Sequence, residues 1–202
     1  ALAKIRDHSA ASGLVKLLPQ ASPLVSSAIV DALGDMGDVK SIPLLFGSLE
    51  NVSVPLRHKI VKAIVQILSG KALSLLANKA QERLRAYLAE ALSDNDEDVL
   101  MAALQGLRSI GKAENTAPVL SLAVSLDKER QPELYEAAIA ALAAIGYNDA
   151  LRDALRCKDE NRILVAMDAC RLIHDHEPVE ELKQVFWRGS QELKRAAMTE
   201  IA

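Results

Sequence analysis

The chain has 202 residues, of which 50% are hydrophobic and only 3% are aromatic. This length and apolar content allow a sizeable buried core and argue against disorder, and the excess of aliphatic over aromatic residues favours packed helices over strands. The formal net charge of −3 argues against nucleic acid as the main partner, because proteins that bind nucleic acid usually present a basic surface.

The two cysteines, Cys157 and Cys170, are too few for a disulfide framework, so we expect a reducing compartment and assign the chain to the cytoplasm. The longest uncharged run, 17–30, contains two prolines and is too short to cross a bilayer, and no signal peptide or lipidation motif is present. We therefore expect no membrane partner. Because the chain starts without methionine and stops inside a helical pattern, we expect a fragment of a longer protein.

In chain order, the sequence predicts an alternation of longer and shorter helices. A short leading helix over Ser9 to Leu18 precedes a longer one whose apolar residues recur at helical spacing: Leu24, Ala28, Ile29, Ala32, Leu33 and Met36. Shorter helices are predicted at "SIPLL" from Ser41, "KALSLLANKA" from Lys71, "TAPVL" from Thr116, "NDALRDAL" from Asn148 and "PVEELKQVF" from Pro178. In "SIPLL" and "TAPVL" the proline lies in the first turn, where it costs no hydrogen bond. Three glycines follow the longer helices and are expected to end them, because glycine is able to take a left-handed conformation: Gly37, Gly111 and Gly146.

The end of each longer helix carries a recurring motif: a small residue, then an apolar residue, and a second apolar residue three positions after the first. It reads "ALAAIG" from Ala141 and recurs from Ala32, Ala63, Gly106, Ala169 and, truncated, Glu200, at spacings of 31, 43, 35, 28 and 31 residues. A period in the low thirties indicates stacked helix pairs, because one pair cannot bury its apolar face alone. We therefore predict an all-α fold, a right-handed α-α superhelix of about five to six helix pairs, as a single repeat domain over 1–202.

The 43-residue interval contains an insertion of roughly ten residues around Ala72 to Leu92, rich in Lys, Arg and Glu at helical spacing. We expect an extended second helix over about 70–93. An insertion of this kind either adds to a binding face or is tolerated without a role, and both interpretations stay open.

Polar turns separate the predicted units: "LENVSV", "SDNDED", "LDKERQ", "CKDEN" and "WRGSQ". Such residues cap the following helix and favour its positive end. We interpret the acidic run from Asp94 to Asp98 as a helix start rather than a binding motif.

This pattern resembles the HEAT family of helical repeats, in particular the short bacterial type named after the phycobilisome lyases, from about Ser22 to Ala202. In that type a Val-Arg pair precedes the "ALG-x-IG" segment; Leu56-Arg57 and Leu193-Lys194 approach this pair, whereas the other units depart from it. The resemblance implies a bacterial α-solenoid of the armadillo-like helical class.

One local cluster of cysteine and histidine residues is a candidate metal site. Cys170 and His174 are four residues apart, on one side of a helix, and His176 in the following turn would add a third zinc ligand. The same segment also fits an ordinary turn in which Cys170 packs in the core, and we favour that interpretation. No phosphate-binding loop or activated nucleophile is recognisable. We therefore predict no catalytic residues, no cofactor and no metal.

In HEAT arrays the second helices line the concave side, so their residues outside the core form the candidate partner surface. The candidates are Lys40, Lys71, Asn78, Arg152, Arg156, Lys183, Gln184 and Trp187. Because Phe186 and Trp187 are adjacent, they cannot both point into one core, and we expect one of them to be exposed or to pack on a following repeat.

The sequence thus favours a non-catalytic protein-protein interaction scaffold that binds a protein or peptide, or another domain of its own parent chain, through the concave face. A bilin lyase or isomerase is one alternative, because its repeat type is the one resembled. Weak nucleic-acid binding through a basic stripe near Lys79, Arg83 and Arg85 is another.

Overall fold

The computed structural model describes residues 9–49, 52–68, 78–173, 179–191 and 193–194, and every regular element in these ranges is helical. The α-helices are α1 (Ser9–Leu17), α2 (Pro23–Met36), α3 (Ile42–Ser48), α4 (Val54–Leu68), α5 (Asn78–Ala91), α6 (Glu97–Ile110), α7 (Thr116–Ser125), α8 (Pro132–Ile145), α9 (Asp149–Arg156), α10 (Glu160–Leu172) and α11 (Val179–Arg188). Single turns of 3-10 helix lie at Leu18–Gln20, Val39–Ser41 and Ala113–Asn115. The all-α prediction is confirmed.

In the described ranges, the helices after α1 alternate in chain order between first helices (α2, α4, α6, α8 and α10) and second helices (α3, α5, α7, α9 and α11). The chain divides into two compact units, Ala1–Gly106 and Leu107–Ala202. Within the first unit, α2 packs on α4, while α1, α3 and α5 pack in succession; within the second, α8 packs on α10, while α7, α9 and α11 pack in succession. First helices therefore contact first helices and second helices contact second helices, as the repeat predicts.

The alanine-rich end of α8 is buried by close helix packing. Ala138, Ala141 and Leu142 are fully buried, and α8 contacts both α7 and α10. Small side chains let neighbouring helix backbones approach, and the leucine fills the remaining space. The interpretation of "ALAAIG" as a packing motif follows directly from this burial.

The apolar face of α2 differs from the predicted one. Ile29, Leu33 and Met36 are buried as expected, but Leu24 is 84% exposed and Ala28 is also exposed. The buried stripe begins instead at Ser26, whose hydroxyl donates to the carbonyl oxygens of Leu18 and Ala21 at 3.2 and 3.3 Å. A residue two positions away on a helix points to nearly the opposite side, so Leu24 faces away from the core.

The three predicted helix-ending glycines behave differently from one another. Gly37 is left-handed, with φ of 65°, and Gly146 also has a positive φ, 89°. Gly111 also follows the end of its helix, as predicted, but its φ is not positive. Gly111 is needed for space: a Cβ there would lie 2.3 Å from the carbonyl oxygen of Leu107 and 2.9 Å from Cγ1 of Ile145.

The acidic turn before α6 caps the helix, as predicted, and it is also held by an arginine. Asp96 accepts the backbone N–H of Asp98 at 3.0 Å. Arg57 donates from Nη2 to Asp94 at 2.7 Å and from Nε to Asp96 at 2.9 Å, and from Nη1 to the carbonyl of Leu49 at 3.3 Å. One guanidinium of α4 therefore fixes the turn that follows α5.

The other polar turns confirm the capping prediction only in part. Asn148 caps α9 and Asp159 caps α10 through side-chain oxygens that accept backbone N–H groups. Asp127 instead accepts the N–H groups of Glu129 and Arg130, within a separate turn, and α8 begins later at Pro132. Proline fixes the helix start there without a side-chain cap.

Because Leu107 and Ile145 lie so close to Gly111, we predict that adding a single methyl group at this position strongly destabilises the fold. We expect Gly111→Ala to lower the free energy of unfolding by about 2 kcal/mol, because the backbone carbonyl of Leu107 cannot rotate away as a side chain would. Urea denaturation followed by circular dichroism measures this change. Gly13→Ala is the matched control: a Cβ at Gly13, within α1, meets no atom within 4 Å, and we expect equal or greater stability. Equal effects of the two substitutions would contradict the close approach.

Candidate partner-binding surfaces

In the second unit, five of the predicted partner-binding residues lie on the outer sides of two adjacent second helices. Helix α9 buries Leu151, Ala154 and Leu155, which leaves Arg152 and Arg156 on its other side. Helix α11 buries Glu181, Leu182 and Val185, which leaves Lys183, Gln184 and Trp187 outward. Because α9 packs on α11, we call these five residues, Arg152, Arg156, Lys183, Gln184 and Trp187, the α9–α11 surface.

Trp187 is the most prominent apolar side chain of this surface. Its side chain is 78% exposed, and its ring meets the ring of Phe186 edge-on, with centroids 5.4 Å apart. Phe186 is half-buried, so the prediction that the two rings cannot share one core is confirmed. An exposed indole braced by a second ring is a rigid apolar contact of the kind that dominates binding energy at protein interfaces.

Two of the surface cations are paired within their own helices. Arg152 pairs with Asp149, and Lys183 pairs with Glu180 at 2.7 Å, each three residues apart. All four side chains are substantially exposed, so water and ions screen these pairs and their contribution to stability is small. These charges can exchange their internal partners for groups of a bound protein at little cost.

Arg156 has a different role. Its Nη2 donates to Oε1 of Glu181 at 2.8 Å, and this pair joins α9 to α11. The Glu181 residue is only 8% exposed, so removing its partner would leave a carboxylate largely cut off from water. Arg156 therefore stabilises the helix packing beneath the surface as well as contributing charge to it.

Tyr147, in the turn before α9, lies near the same carboxylate. Its hydroxyl is buried and has no hydrogen-bond partner among the described residues. Burial, with the charge of Glu181 as a second cause, raises the pKa of Tyr147 to about 12. The tyrosine is thus held neutral in a region that disfavours a second negative charge.

In the first unit, two predicted residues lie at the starts of second helices. Lys40 is exposed in the 3-10 turn before α3, where its backbone N–H donates to Asp38 at 3.1 Å, and Asn78 is the exposed first residue of α5. Lys71 lies outside the described residues. The described part of the insertion forms α5, whose 14 residues exceed the seven to ten of α3, α7, α9 and α11.

Between the C-terminal ends of α3 and α5 lies a groove of about 250 Å³ that the sequence reasoning missed. We call it the α3–α5 groove. It is lined by Phe46, Gly47, Leu49, Tyr87, Glu90, Ala91, Ser93, Asp94 and Val99. The sequence shows Tyr87 and Glu90 one turn apart on the inserted helix, and this pair could have indicated part of the groove. The lining residues that α3 contributes depend on tertiary packing and could not be found from the sequence.

The candidate metal ligands, which the sequence analysis did not favour, are not tested as a set. Cys170 is buried, as expected of a packing residue, while His174 and His176 lie outside the described residues. Among the residues that the structure does describe, no group of three His, Cys, Asp or Glu side chains is placed to hold a metal ion.

The basic stripe on α5 is not formed as predicted. Lys79 and Arg83 are exposed, but Arg85 is only 2% exposed and belongs to the core side of the helix. Arg85 lies three residues before the fully buried Leu88, on the same side of the helix, so the buried side of α5 includes it. Across the described ranges, no helix is both long enough and apolar enough to cross a bilayer.

Comparison with solved structures supports the fold. A designed armadillo repeat protein in complex with the peptide (KR)4 matches with a TM-score of 0.53 at 18% identity, over 94% of this chain and 98% of that chain. A second engineered protein matches with a TM-score of 0.49 at 19% identity, over 95% and 94% of the two chains. No protein-family model matches the chain, and no curated protein matches it. The first of these two matches shows that the chain has an armadillo-like helical repeat fold.

Because only Arg156 pairs with the buried Glu181, we predict that replacing Arg156 and replacing Arg152, one turn away, change the free energy of unfolding by different amounts. We expect Arg156→Gln to lower the free energy of unfolding by about 1–2 kcal/mol, because Glu181 loses its charged partner. Arg152→Gln, which breaks only the exposed pair with Asp149, should change it by less than about 0.5 kcal/mol. Urea denaturation at neutral pH compares the two, and similar values would show that Glu181 does not need Arg156.

The raised pKa of Tyr147 predicts that this side chain makes the folded chain less stable at alkaline pH. Its pKa is about 12 in the folded chain against an ordinary value of 10.0, so its contribution to stability is present below pH 10 and is lost as the pH rises toward 12. We expect Tyr147→Phe to lose less stability than the unmodified chain between pH 9 and pH 11, measured as the change in Tm. At pH 7 the variant should be at least as stable, since the removed hydroxyl has no partner among the described residues. If the Tm of the variant and of the unmodified chain fell by the same amount between pH 9 and pH 11, the raised pKa would not belong to Tyr147.

Proposed function

We propose that this chain, acting as one HEAT-like repeat domain, is a non-catalytic scaffold that binds a protein or peptide along the exposed faces of its second helices. The observation that carries the proposal is Trp187, an indole 78% exposed on α11 among polar side chains whose ion pairs are weak. Large exposed aromatic side chains are rare on this chain and are typical of interface residues.

The charge of the α9–α11 surface favours a protein over a polyanion. The charged residues on the two helices are balanced between four positive and four negative side chains: Arg152, Arg156, Lys183 and Arg188 against Asp149, Asp153, Glu180 and Glu181. A mixed surface around an apolar centre matches the composition of protein interfaces, whereas nucleic-acid surfaces carry a large positive excess.

The fold supports peptide binding in general terms. The designed armadillo repeat protein that shares this fold is in complex with a peptide. Stacked helix pairs present a continuous row of side chains from successive second helices, which suits an extended chain or a domain surface. A protein partner, or another domain of the same parent chain, would meet such a row within each unit.

The cysteines support a reducing compartment. Cys157 is half-buried and Cys170 is buried, and the two are not joined by a disulfide bond. We propose a cytoplasmic location in a bacterium, in keeping with the repeat type that the sequence resembles.

The proposal predicts that Trp187 dominates binding. Peptides are selected from a random phage-displayed library on the immobilised chain, and their Kd is measured by titration calorimetry against purified variants. We expect Trp187→Ala to weaken the selected peptides at least tenfold, because truncating a central aromatic residue is typical of an energetic hot spot. Circular dichroism should show unchanged helicity, since the side chain is largely exposed.

Leu24→Ala is the matched control, because it truncates another exposed apolar side chain, 84% exposed, in the first unit. It should leave the Kd unchanged. A second variant, Arg152→Glu, reverses a surface charge without touching the Arg156–Glu181 pair and should also alter the Kd. Peptides that bind all variants equally would refute the α9–α11 surface as the binding face.

A further inference from the structure

We propose that the open side of α2, formed by Val25, Ala28 and Ala32, is the docking surface for residues 1–6 of this chain. Residues 1–6 lie outside the described residues, and we infer their position from their sequence and from the contact between α2 and α4. This docking involves first helices, so it is independent of the partner binding proposed for the second helices. It makes α1 the second helix of a complete pair.

The first residues of the chain carry the repeat motif. The sequence "ALAKIR" from Ala1 has the small and apolar residues of the motif in the same order. Ala1 lies 31 residues before Ala32, the same distance that separates Ala32 from Ala63. Among the described helices, the motif lies at the C-terminal end of a first helix in each of α2, α4, α6, α8 and α10. Residues 1–6 therefore have the sequence expected for the end of a first helix that precedes α1.

The open side of α2 lacks the neighbour that its other side has. Towards α4, Ser27 and Asp31 accept hydrogen bonds from Nζ of Lys59 at 2.6 and 2.7 Å. The residues of the open side lie on the other flank of the helix, where Val25 is 49% exposed and Ala28 is also exposed. Because first helices pack on first helices within each unit, an apolar flank of this kind fits a preceding first helix.

The contact between α2 and α4 gives the register of two neighbouring first helices. A Cβ on Gly34, the third motif position of α2, would lie 3.4 Å from Cβ of Ala63, the first motif position of α4. Gln66, the fourth position of α4, donates to Asp35, the fourth position of α2, at 3.4 Å. A small residue at the third position therefore lets the following first helix approach, and the side chains of the two fourth positions meet.

The same register, moved back by 31 residues, gives residues 1–6 matching contacts on α2. Ala3 then lies on Ala32, so two small residues meet at the point of close approach. Lys4 and Asp35 meet at the fourth positions, and their charges are opposite. The bond that Asp35 accepts from the neutral amide of α4 is long and uses one oxygen, so the second oxygen is able to accept the lysine.

The apolar residues of the segment fit the same position. Leu2 and Ile5 correspond to Leu33 and Met36, which are both buried, so they would lie on the core side, toward α1. A helix with a large third residue would be held away from α2, and one with an acidic fourth residue would be repelled by Asp35. The segment from residue 1 to residue 6 meets both requirements.

The test measures disulfide formation in the whole chain, with Cys157→Ser as background. In Ala3→Cys with Ala32→Cys, the two Cβ atoms should lie at the separation that a disulfide needs, since the equivalent Cβ positions of α2 and α4 are 3.4 Å apart. The matched control is Ala3→Cys with Leu24→Cys. Leu24 is 84% exposed and nearer in sequence, but it lies about 12 Å from Ala32 along the axis of α2.

We expect the pair at positions 3 and 32 to show an effective concentration about tenfold higher than the control pair, measured at equilibrium with oxidised and reduced glutathione. Equal values, or a higher value for the pair with position 24, would show a segment that does not dock and would overturn the proposal. Disulfides between two chains, seen as dimers on a non-reducing gel, would show that a second copy covers α2 and would also overturn it.

The charge contact is tested in the chain that carries Ala3→Cys and Ala32→Cys. Lys4→Glu should lower the effective concentration of the two thiols roughly threefold, as expected for a surface ion pair, and adding Asp35→Lys should restore it. Glu82→Lys is the matched control, since Glu82 is exposed on α5 and should not restore it. Restoration by both substitutions, or by neither, would overturn the register. Circular dichroism should show equal helicity in all variants, and no outcome changes the expectations for the α9–α11 surface.

Discussion

Each helix of this chain can bury its apolar side only against the helices of neighbouring pairs, and the rest of the structure depends on that constraint. Close backbone approach requires small residues at the contact points, which is why Ala138 and Ala141 are fully buried. Gly106 has the same role in the first unit, where a Cβ would lie 2.7 Å from a methyl group of Leu88. Aliphatic residues then fill the space between these points, and few aromatic residues are needed.

Polar contacts reinforce the packing at about the same period. Arg57 reaches Asp94, 37 residues later, Lys128 reaches Asp168, 40 residues later, and the side chain of Asn148 donates to Thr116, 32 residues earlier. Each contact joins one repeat to the next within a unit. The Arg57–Asp94 and Asn148–Thr116 contacts are partly shielded from water, so they define the register of neighbouring pairs as well as adding stability. The Lys128–Asp168 pair is more exposed, since the lysine side chain is 65% exposed. Charges used in this way are not available to a partner.

The surfaces proposed for binding are what remains after packing and these contacts are satisfied. Trp187 and Tyr87 belong to second helices in different units, and each has a glutamate or lysine within one turn. Neither ring is buried in the core, since Trp187 is 78% exposed and Tyr87 is 41% exposed. An aromatic residue that a helix does not bury, beside charges with weak or no internal partners, is a physical reason to infer a binding role.

The sequence by itself determined the fold class, the order of long and short helices, the burial of the alanine motif and the capping role of Asp96. These follow from periodicity and local hydrogen bonding, which act within a few residues. Tertiary structure decided which side of α2 is buried, why Gly111 must be glycine, which arginines bind neighbouring helices, and that Phe46, Tyr87 and Glu90 share a groove. Those outcomes depend on the angle and spacing at which helices from different repeats meet, and one chain's local pattern does not encode that geometry position by position.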